Sequence, residues 1–488
     1  MSKRHLWILL GSLALLALLL GACQPAEPEV QEVQVTVEVE VPVEVEVPVE
    51  VEVPVEVQVP EFPEGTSIRL VQWSHFVPQY DVWFDPFLEA WGDANGVETS
   101  VDHVDIPTTT ATLTAAIDAG EGPTMVEVLF SPSAFVNGVQ DLTDVNEQAQ
   151  ALFGEQAASC ANSSYLPAVD KWYGFCHSWI PDPADYDTAL WTDAGYPNGP
   201  ETWRDLLEGG KAIKDKTGVP LGIGLSPELD SRMAGRALMW SFGGSVQDEN
   251  ENVVIDSPEV VEAVEFMAQL YNDTMTEEVF AWTPASNNQG LIAGELSYIL
   301  NSISAYRSLQ KIDPEAADNI GFGPALVGPR GDQAASAHVW SIYVIPNYVE
   351  GAELEAAKAF LLHLTANSNQ IVFNSELYNF PAFPSTVPQL EGWVNKDPFG
   401  SRPADKLALL ADAINWTVYL GYPGPANPAT GEVFGTSIIP TMMGKAALGE
   451  LTAAEAVCEA HAQIEDIFEK WRAEGLVGGE ASPDCAVG

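Results

Sequence analysis

The sequence is poor in positive charge. Lysine and arginine number 20 against 70 aspartates and glutamates, a formal net charge of −50. A chain with that field is not drawn to the phosphates of nucleic acid or to anionic lipid. The same field disfavours an anionic ligand, unless a local arginine overrides it. Cysteine is scarce as well: there are five, none in a CxxC spacing, so the usual structural zinc frame is missing. No GxSxG, HExxH or GxxxxGK[ST] string occurs. The commonest nucleophile, zinc-hydrolase and phosphate-loop chemistries therefore lack their scaffolds. Beyond residue 20 no apolar run is long enough to span a bilayer.

What is present begins with a leader. Lys3 and Arg4 precede the apolar run Leu6 to Leu20, which is too short and wrongly flanked for an ordinary membrane span and reads as a signal peptide over residues 1–22. Leu20-Gly21-Ala22-Cys23 matches the bacterial lipobox, and that resemblance implies cleavage before Cys23 and lipid on its sulfur. Four cysteines then remain in an exported chain, and three pairings are open to them. The preferred one joins the cysteines close in sequence, Cys160 with Cys176 and Cys458 with Cys485.

Residues 23–65 form a tether. From Val37 the hexamer VEVEVP recurs, closed by Pro42, Pro48, Pro54 and Pro60. Val/Glu alternation suits a strand, but a proline every sixth residue removes ladder donors and dense glutamate repels itself. An extended, polyproline-like segment is expected, with a reach on the order of 100 Å from the membrane. Intermolecular pairing into a stalk is the rival arrangement.

After residue 66 strand and helix signals alternate. Ile68–Trp73 predicts a strand, Tyr80–Asn95 an amphipathic helix, Val97–Val104 a strand, Thr108–Ala119 a helix and Met125–Phe130 a buried strand. That order implies a parallel sheet with right-handed crossovers. Tyr165–Pro167 and Lys171–Phe175 predict a hairpin, and Cys176–Pro183 a passage into a second lobe. There, helices are expected from Thr202-Trp203, over Asp230–Phe242 and Ser257–Tyr271, with a strand at Val219–Leu225. In GLIAGELSYILNSISAYR (290–307), a helix end turns through Gly294 into the strand Leu296–Leu300. The run stops at Asn301-Ser302, and Ser302 is a plausible N-cap for the next helix. Ile320–Gly323 and His338–Pro346 predict strands, the latter returning to the first lobe. Helices over Gly351–Thr365, Asn369–Leu377, Ala404–Leu420 and Ala453–Arg472 complete the chain.

The order of these signals resembles the extracellular solute-binding proteins of family 1, the sugar-binding subunits of ABC importers. The residues that carry the resemblance are QWSHF (72–76), GPETWRDL (199–206), SFGGSVQDE (241–249), DSPEVVEAVEFMAQL (256–270), AGELSYIL (293–300), GPRG (328–331) and GKAALGELTAAEAVCEA (444–460). It implies an α/β chain with the type II periplasmic-binding-protein fold, in which two α/β lobes close about a hinge on a ligand in the cleft between them. The expected lobes are residues 66–179 with 332–378, and 180–331 with 379–488. The implied partners are a small-molecule ligand, a sugar or oligosaccharide, the ABC permease subunits, and the membrane through the lipid anchor. The protein is expected to be a monomer outside the cytoplasm, with no cofactor and no nucleic acid.

Sugars present C–H faces and a rim of hydroxyls, so their sites combine aromatic plates with fixed amides and carboxylates. The family pattern places such groups at Trp73, His75, Phe130, Ser131, Glu228, Asn301, Ser302, Tyr306, Trp340 and Phe434. In its cleft loops the chain departs from that pattern, so the identity of the ligand does not carry over. A sensory lipoprotein, or one that binds a polyol, glycerol-phosphate or peptide, shares the architecture. A secreted carbohydrate-active enzyme would need facing carboxylates, and Glu228 with Asp230 is the nearest pair. His75, His177 and His338 could serve as a three-histidine metal set, though no metal is expected. Asp248, Asn250, Asn252, Asp256 and Glu259 have calcium-loop spacing, but Val253 stands where glycine is required, which favours a β-turn.

Overall fold

The computed structural model describes residues 57, 59–482 and 484–487. The leader, Cys23 and nearly all of the tether lie outside the described residues. Strand β1 (Ser67–Trp73) feeds a helix over Gln79–Asn95 that buries Tyr80, Phe84, Leu88 and Trp91, a single stripe at helical spacing. Gly96 ends it at φ +69°, a left-handed conformation that costs glycine little. Strand β2 (Glu98–Val104) is followed by a helix over Ile106–Ala119. This helix starts two residues earlier than expected, because the Asp105 side chain accepts the Thr108 N–H at 3.1 Å and Pro107 suits the first turn. Strand β3 (Met125–Val128) is wholly buried.

β2, β1 and β3 run parallel, as the strand–helix order requires. The rest of the sheet does not. A short hairpin, β4 (Tyr165–Leu166) with β5 (Lys171–Trp172), precedes β6 (Phe175–Ile180). β6 is a strand of this sheet, so Cys176–Ile180 is not a passage; the crossing shrinks to Pro181-Asp182-Pro183. In the second lobe β7 (Ala184–Asp187) is flanked by the antiparallel strands β8 (Tyr298–Leu300) and β9 (Ile320–Gly323). After β10 (Ala335–Ser336) the chain returns as β11 (Val339–Val344), antiparallel to both β3 and β6. β12 (Phe380–Pro381) pairs with β6 and closes the six-stranded order β12-β6-β11-β3-β1-β2. The chain thus stays with the first sheet past the expected switch at 378/379. The sheet is mixed because a strand re-entering from the other lobe arrives from the opposite end.

In the second lobe a capping box at Thr202 and Asp205 starts the Trp203–Thr217 helix, and Ser257 caps Pro258–Thr274. Val219–Leu225 forms no regular strand. Pro220, Gly222 and Gly224 punctuate it, and it keeps only a bridge from Gly222 to Ile299. The 290–307 segment folds as read: a helix over Ser286–Ile292, a turn at Gly294, β8, then a helix over Ser304–Ile312. Ser302 does not cap that helix; Asn301 Oδ1 accepts the Ser302 N–H at 2.8 Å instead. The expected helix at Ala404–Leu420 is a 3₁₀ helix (Ala408–Asn415) and then β13 (Thr417–Val418), which pairs with β10. Helices Pro428–Gly435 and Ile438–Ala447 are additional.

One apolar cluster runs from the large sheet through Phe434 and Leu229 to Ile299 and Phe322, and a second fills the other lobe around Trp191, Leu238, Met267 and Ile464. Cys160 is bonded to Cys176 and Cys458 to Cys485, with Cα separations of 5.6 and 5.5 Å. In the Gly328–Gly331 turn, a Cβ on Gly328 would lie 1.6 Å from the Ser241 carbonyl oxygen. Gly328→Ala should therefore destabilise the protein by about 1–3 kcal/mol in urea unfolding. Gly435→Ala, where a Cβ meets nothing within 4 Å, is the matched control.

Candidate functional site

The carboxyl end of β3 faces the start of the Leu229–Ser241 helix across a cleft of about 410 Å³, within the range of small-molecule sites. The first lobe contributes Leu129, Phe130 and the threonines Thr109, Thr110 and Thr114. The second contributes Pro227, Glu228, Leu229 and Arg232, with Gly435 beside them. Of the expected residues, Phe130 and Glu228 form the wall. Phe434 stands behind it, its ring 5.3 Å from that of Phe130 and covered on another side by Arg236 at 4.8 Å. The lobes also touch where Ser133 Oγ donates to the Asn427 carbonyl at 2.8 Å.

Glu228 is committed to structure. Its carboxylate accepts the N–H groups of Asp230 (2.7 Å) and Ser231 (2.5 Å) and the Ser231 hydroxyl, capping the helix. Burial raises its pKa, and those hydrogen bonds oppose the shift. Asp230 accepts from Asn287 Nδ2 at 2.7 Å, and its pKa is pushed well up by burial and then by Glu228 and Asp182.

A second group gathers around Tyr378, a residue that sequence reasoning passed over. Its ring lies 4.9 Å from His75, 6.4 Å from Trp73 and 6.3 Å from His338. Its hydroxyl is near Ser302 and Ser304, yet neither it nor the Ser302 hydroxyl makes a hydrogen bond within the described protein. Trp340 Nε1 is buried and equally unpartnered. Asp230, which acts on the Tyr378 hydroxyl, joins this group to the cleft wall.

Other expected residues are not brought to the cleft. Tyr306 is fully buried, donates to Ser401 Oγ at 2.8 Å and packs edge-on against Phe322. Asn301 bonds Asn288, and Ser131 bonds Ser133 at 3.1 Å. The short apolar strand before Asn301 marks a true sheet end, but the following side chains turn into the lobe. Arg232 is missed because only its helix, and not its facing, is legible in sequence.

The three histidines do not converge. His75 Nε2 donates to Asn379 Oδ1 at 2.7 Å, His177 Nε2 lies 2.9 Å from Glu127 Oε1, and His338 Nδ1 lies 3.1 Å from Asp182 Oδ1. Among the described residues, the one His/Cys/Asp/Glu group close enough to share an ion is Asp256, His461 and Cys485, and Cys485 is bonded to Cys458. Asp248 accepts from the Asn250 and Asn252 N–H groups, which makes the turn expected of that loop.

A family model described as bacterial extracellular solute-binding protein matches residues 83–399. The chain belongs to that family. Solved structures agree on the fold of this solute-binding protein. Maltose-bound MalE3 of T. maritima is 21% identical with a TM-score of 0.68, covering 82% of this chain and 100% of its own. A solute-binding protein of Thermotoga lettingae TMO bound with α-D-tagatose is 18% identical (TM-score 0.66, 82% and 99% covered). A sugar transporter from Arthrobacter chlorophenolicus A6 with bound laminaribiose is 16% identical (TM-score 0.66, 82% and 99%). No curated protein matches the sequence. No helix among the described residues is long and apolar enough to cross a membrane.

Burial lowers the His75 pKa to about 3, and its hydrogen bonds to Asn379 and Val77 only partly offset this. The unfolded chain, with an ordinary histidine near 6.5, binds the extra proton first. Stability from this group is therefore full above about pH 6.5 and falls by up to about 1.4 kcal/mol per unit toward pH 3. Urea titrations at pH 7 and pH 4.5 should show a smaller loss in His75→Gln than in the unaltered protein.

Proposed function

We propose that this protein is the membrane-tethered, extracytoplasmic substrate-binding subunit of an ABC importer. It captures a sugar or oligosaccharide as its lobes close and delivers it to the permease. The observation that carries this reading is the interlobe cleft itself. An aromatic wall at Phe130, backed by Phe434, faces hydroxyl-bearing threonines in a space of about 410 Å³. Such a combination suits the apolar face and polar rim of a saccharide. The sugars bound by the structural neighbours support it. Lipid on Cys23 and the Val/Glu/Pro tether would hold the lobes near the permease while leaving them room to turn.

The site is built for binding without bond cleavage. Glu228 spends both oxygens on a helix start and Asp230 is held by Asn287, so among the described residues no pair of free carboxylates flanks the cleft. Thermal denaturation across a panel of saccharides tests the reading. A cognate sugar at a hundred times its Kd should stabilise the protein by about 2.7 kcal/mol and be recovered unchanged. No response to any saccharide, or conversion to product, would refute it. Phe130→Ala should weaken binding of the responding sugar about tenfold or more in calorimetry, because it removes the aromatic plate.

A further inference from the structure

In so acidic a chain, a buried cation should find a carboxylate. Arg307 and Arg472, withdrawn from solvent, do, at 2.7 and 2.8 Å, and so do the exposed Arg69, Arg330 and Arg402, at 2.7–3.3 Å. Arg232 and Arg236, one turn apart on the helix that walls the cleft, do not, among the described residues. Arg232 lines the cleft and is half-buried. Its Nε donates to Ser437 Oγ at 2.8 Å and one terminal nitrogen reaches the Pro227 carbonyl at 3.4 Å. Its other terminal nitrogen has no acceptor among the described residues. Arg236, 3% exposed, donates from Nη1 to the Arg232 carbonyl at 3.0 Å, and its Nη2 is unpartnered. Burial and the neighbouring Arg232 charge depress the Arg236 pKa to about 9. The nearest carboxylate, Glu228, has both oxygens occupied by the helix start.

We propose that the solute is an acidic saccharide whose carboxylate is gripped by Arg232, with Arg236 supplying positive charge from behind. This deepens the sugar-binding reading and rests on it. A guanidinium offers planar, paired donors that match a carboxylate, and such charge-assisted bonds are about twice as strong as neutral ones. A carboxylate is favoured over a phosphate ester because each further negative charge on the solute meets repulsion from a chain of net charge −50.

Calorimetric titration of the full-length protein with matched pairs tests this: glucuronate against glucose, galacturonate against galactose, dimers of each, and glucose 6-phosphate. One uronate should bind about tenfold or more tightly than its neutral partner. In Arg232→Gln the ratio between the two should fall to near one, and in Arg232→Lys it should be partly retained. A neutral sugar binding as tightly as its acidic counterpart would overturn the inference and leave the sugar-binding reading standing. Binding confined to the phosphate ester would overturn the carboxylate. No binding of any saccharide, charged or neutral, would overturn the reading beneath it as well.

Discussion

The molecule turns on two short chain segments that lie side by side between its sheets. Pro181-Asp182-Pro183 carries the chain out of β6, and Ala337-His338 brings it back into β11. They are tied by the His338 N–H to the Ile180 carbonyl at 2.8 Å and by His338 Nδ1 with Asp182 Oδ1 at 3.1 Å. Both side chains are buried. A polar pair removed from water is costly unless each partner satisfies the other, so the two crossings hold one another's place. β3, beside β11, points Phe130 across, and the Leu229–Ser241 helix answers with Glu228 and Arg232.

Several buried polar groups near that join have no partner among the described residues. The hydroxyls of Ser302, Tyr378 and Tyr298, Trp340 Nε1 and both oxygens of Asp185 are buried without partners. Burial, and then the Asp182 charge, push the Asp185 pKa well up. Inside the lobes some buried groups are paired, while others, such as Gln72 Nε2, Trp91 Nε1 and Trp203 Nε1, have no partner among the described residues. Arg307 donates to the Glu376 carbonyl, Gln310 and Asp397, and Tyr343 donates to Gln72 at 2.6 Å.

The segments legible from sequence are those governed by local rules. The Gln79–Asn95 helix shows an apolar stripe and a glycine stop, the Trp203–Thr217 helix opens at the expected Thr202-Trp203, and β8 is a short apolar run between a turn and polar residues. Val219–Leu225 is misread because apolar alternation outweighed Pro220 and two glycines. The Ala404–Leu420 stretch is misread because apolar spacing alone does not distinguish an α-helix from a 3₁₀ helix packed on a two-stranded sheet. Among site residues, Phe130 and Glu228 follow from a strand end and a helix start. Tyr306 fails because the side chain one turn into a helix faces wherever packing sends it, here toward Ser401.

The sequence by itself determined the alternation of strands and helices and the family to which the chain belongs. These are properties of neighbours along the chain, of composition and of motif order. Tertiary structure alone decided that β11 re-enters antiparallel, that His75, His177 and His338 take separate partners, that Phe434 stands behind Phe130, and that Arg232 and Arg236 have no ion-pair partner among the described residues. Those outcomes depend on which residues far apart in sequence meet after the chain has crossed between lobes, and burial, not propensity, settles which of them are left free.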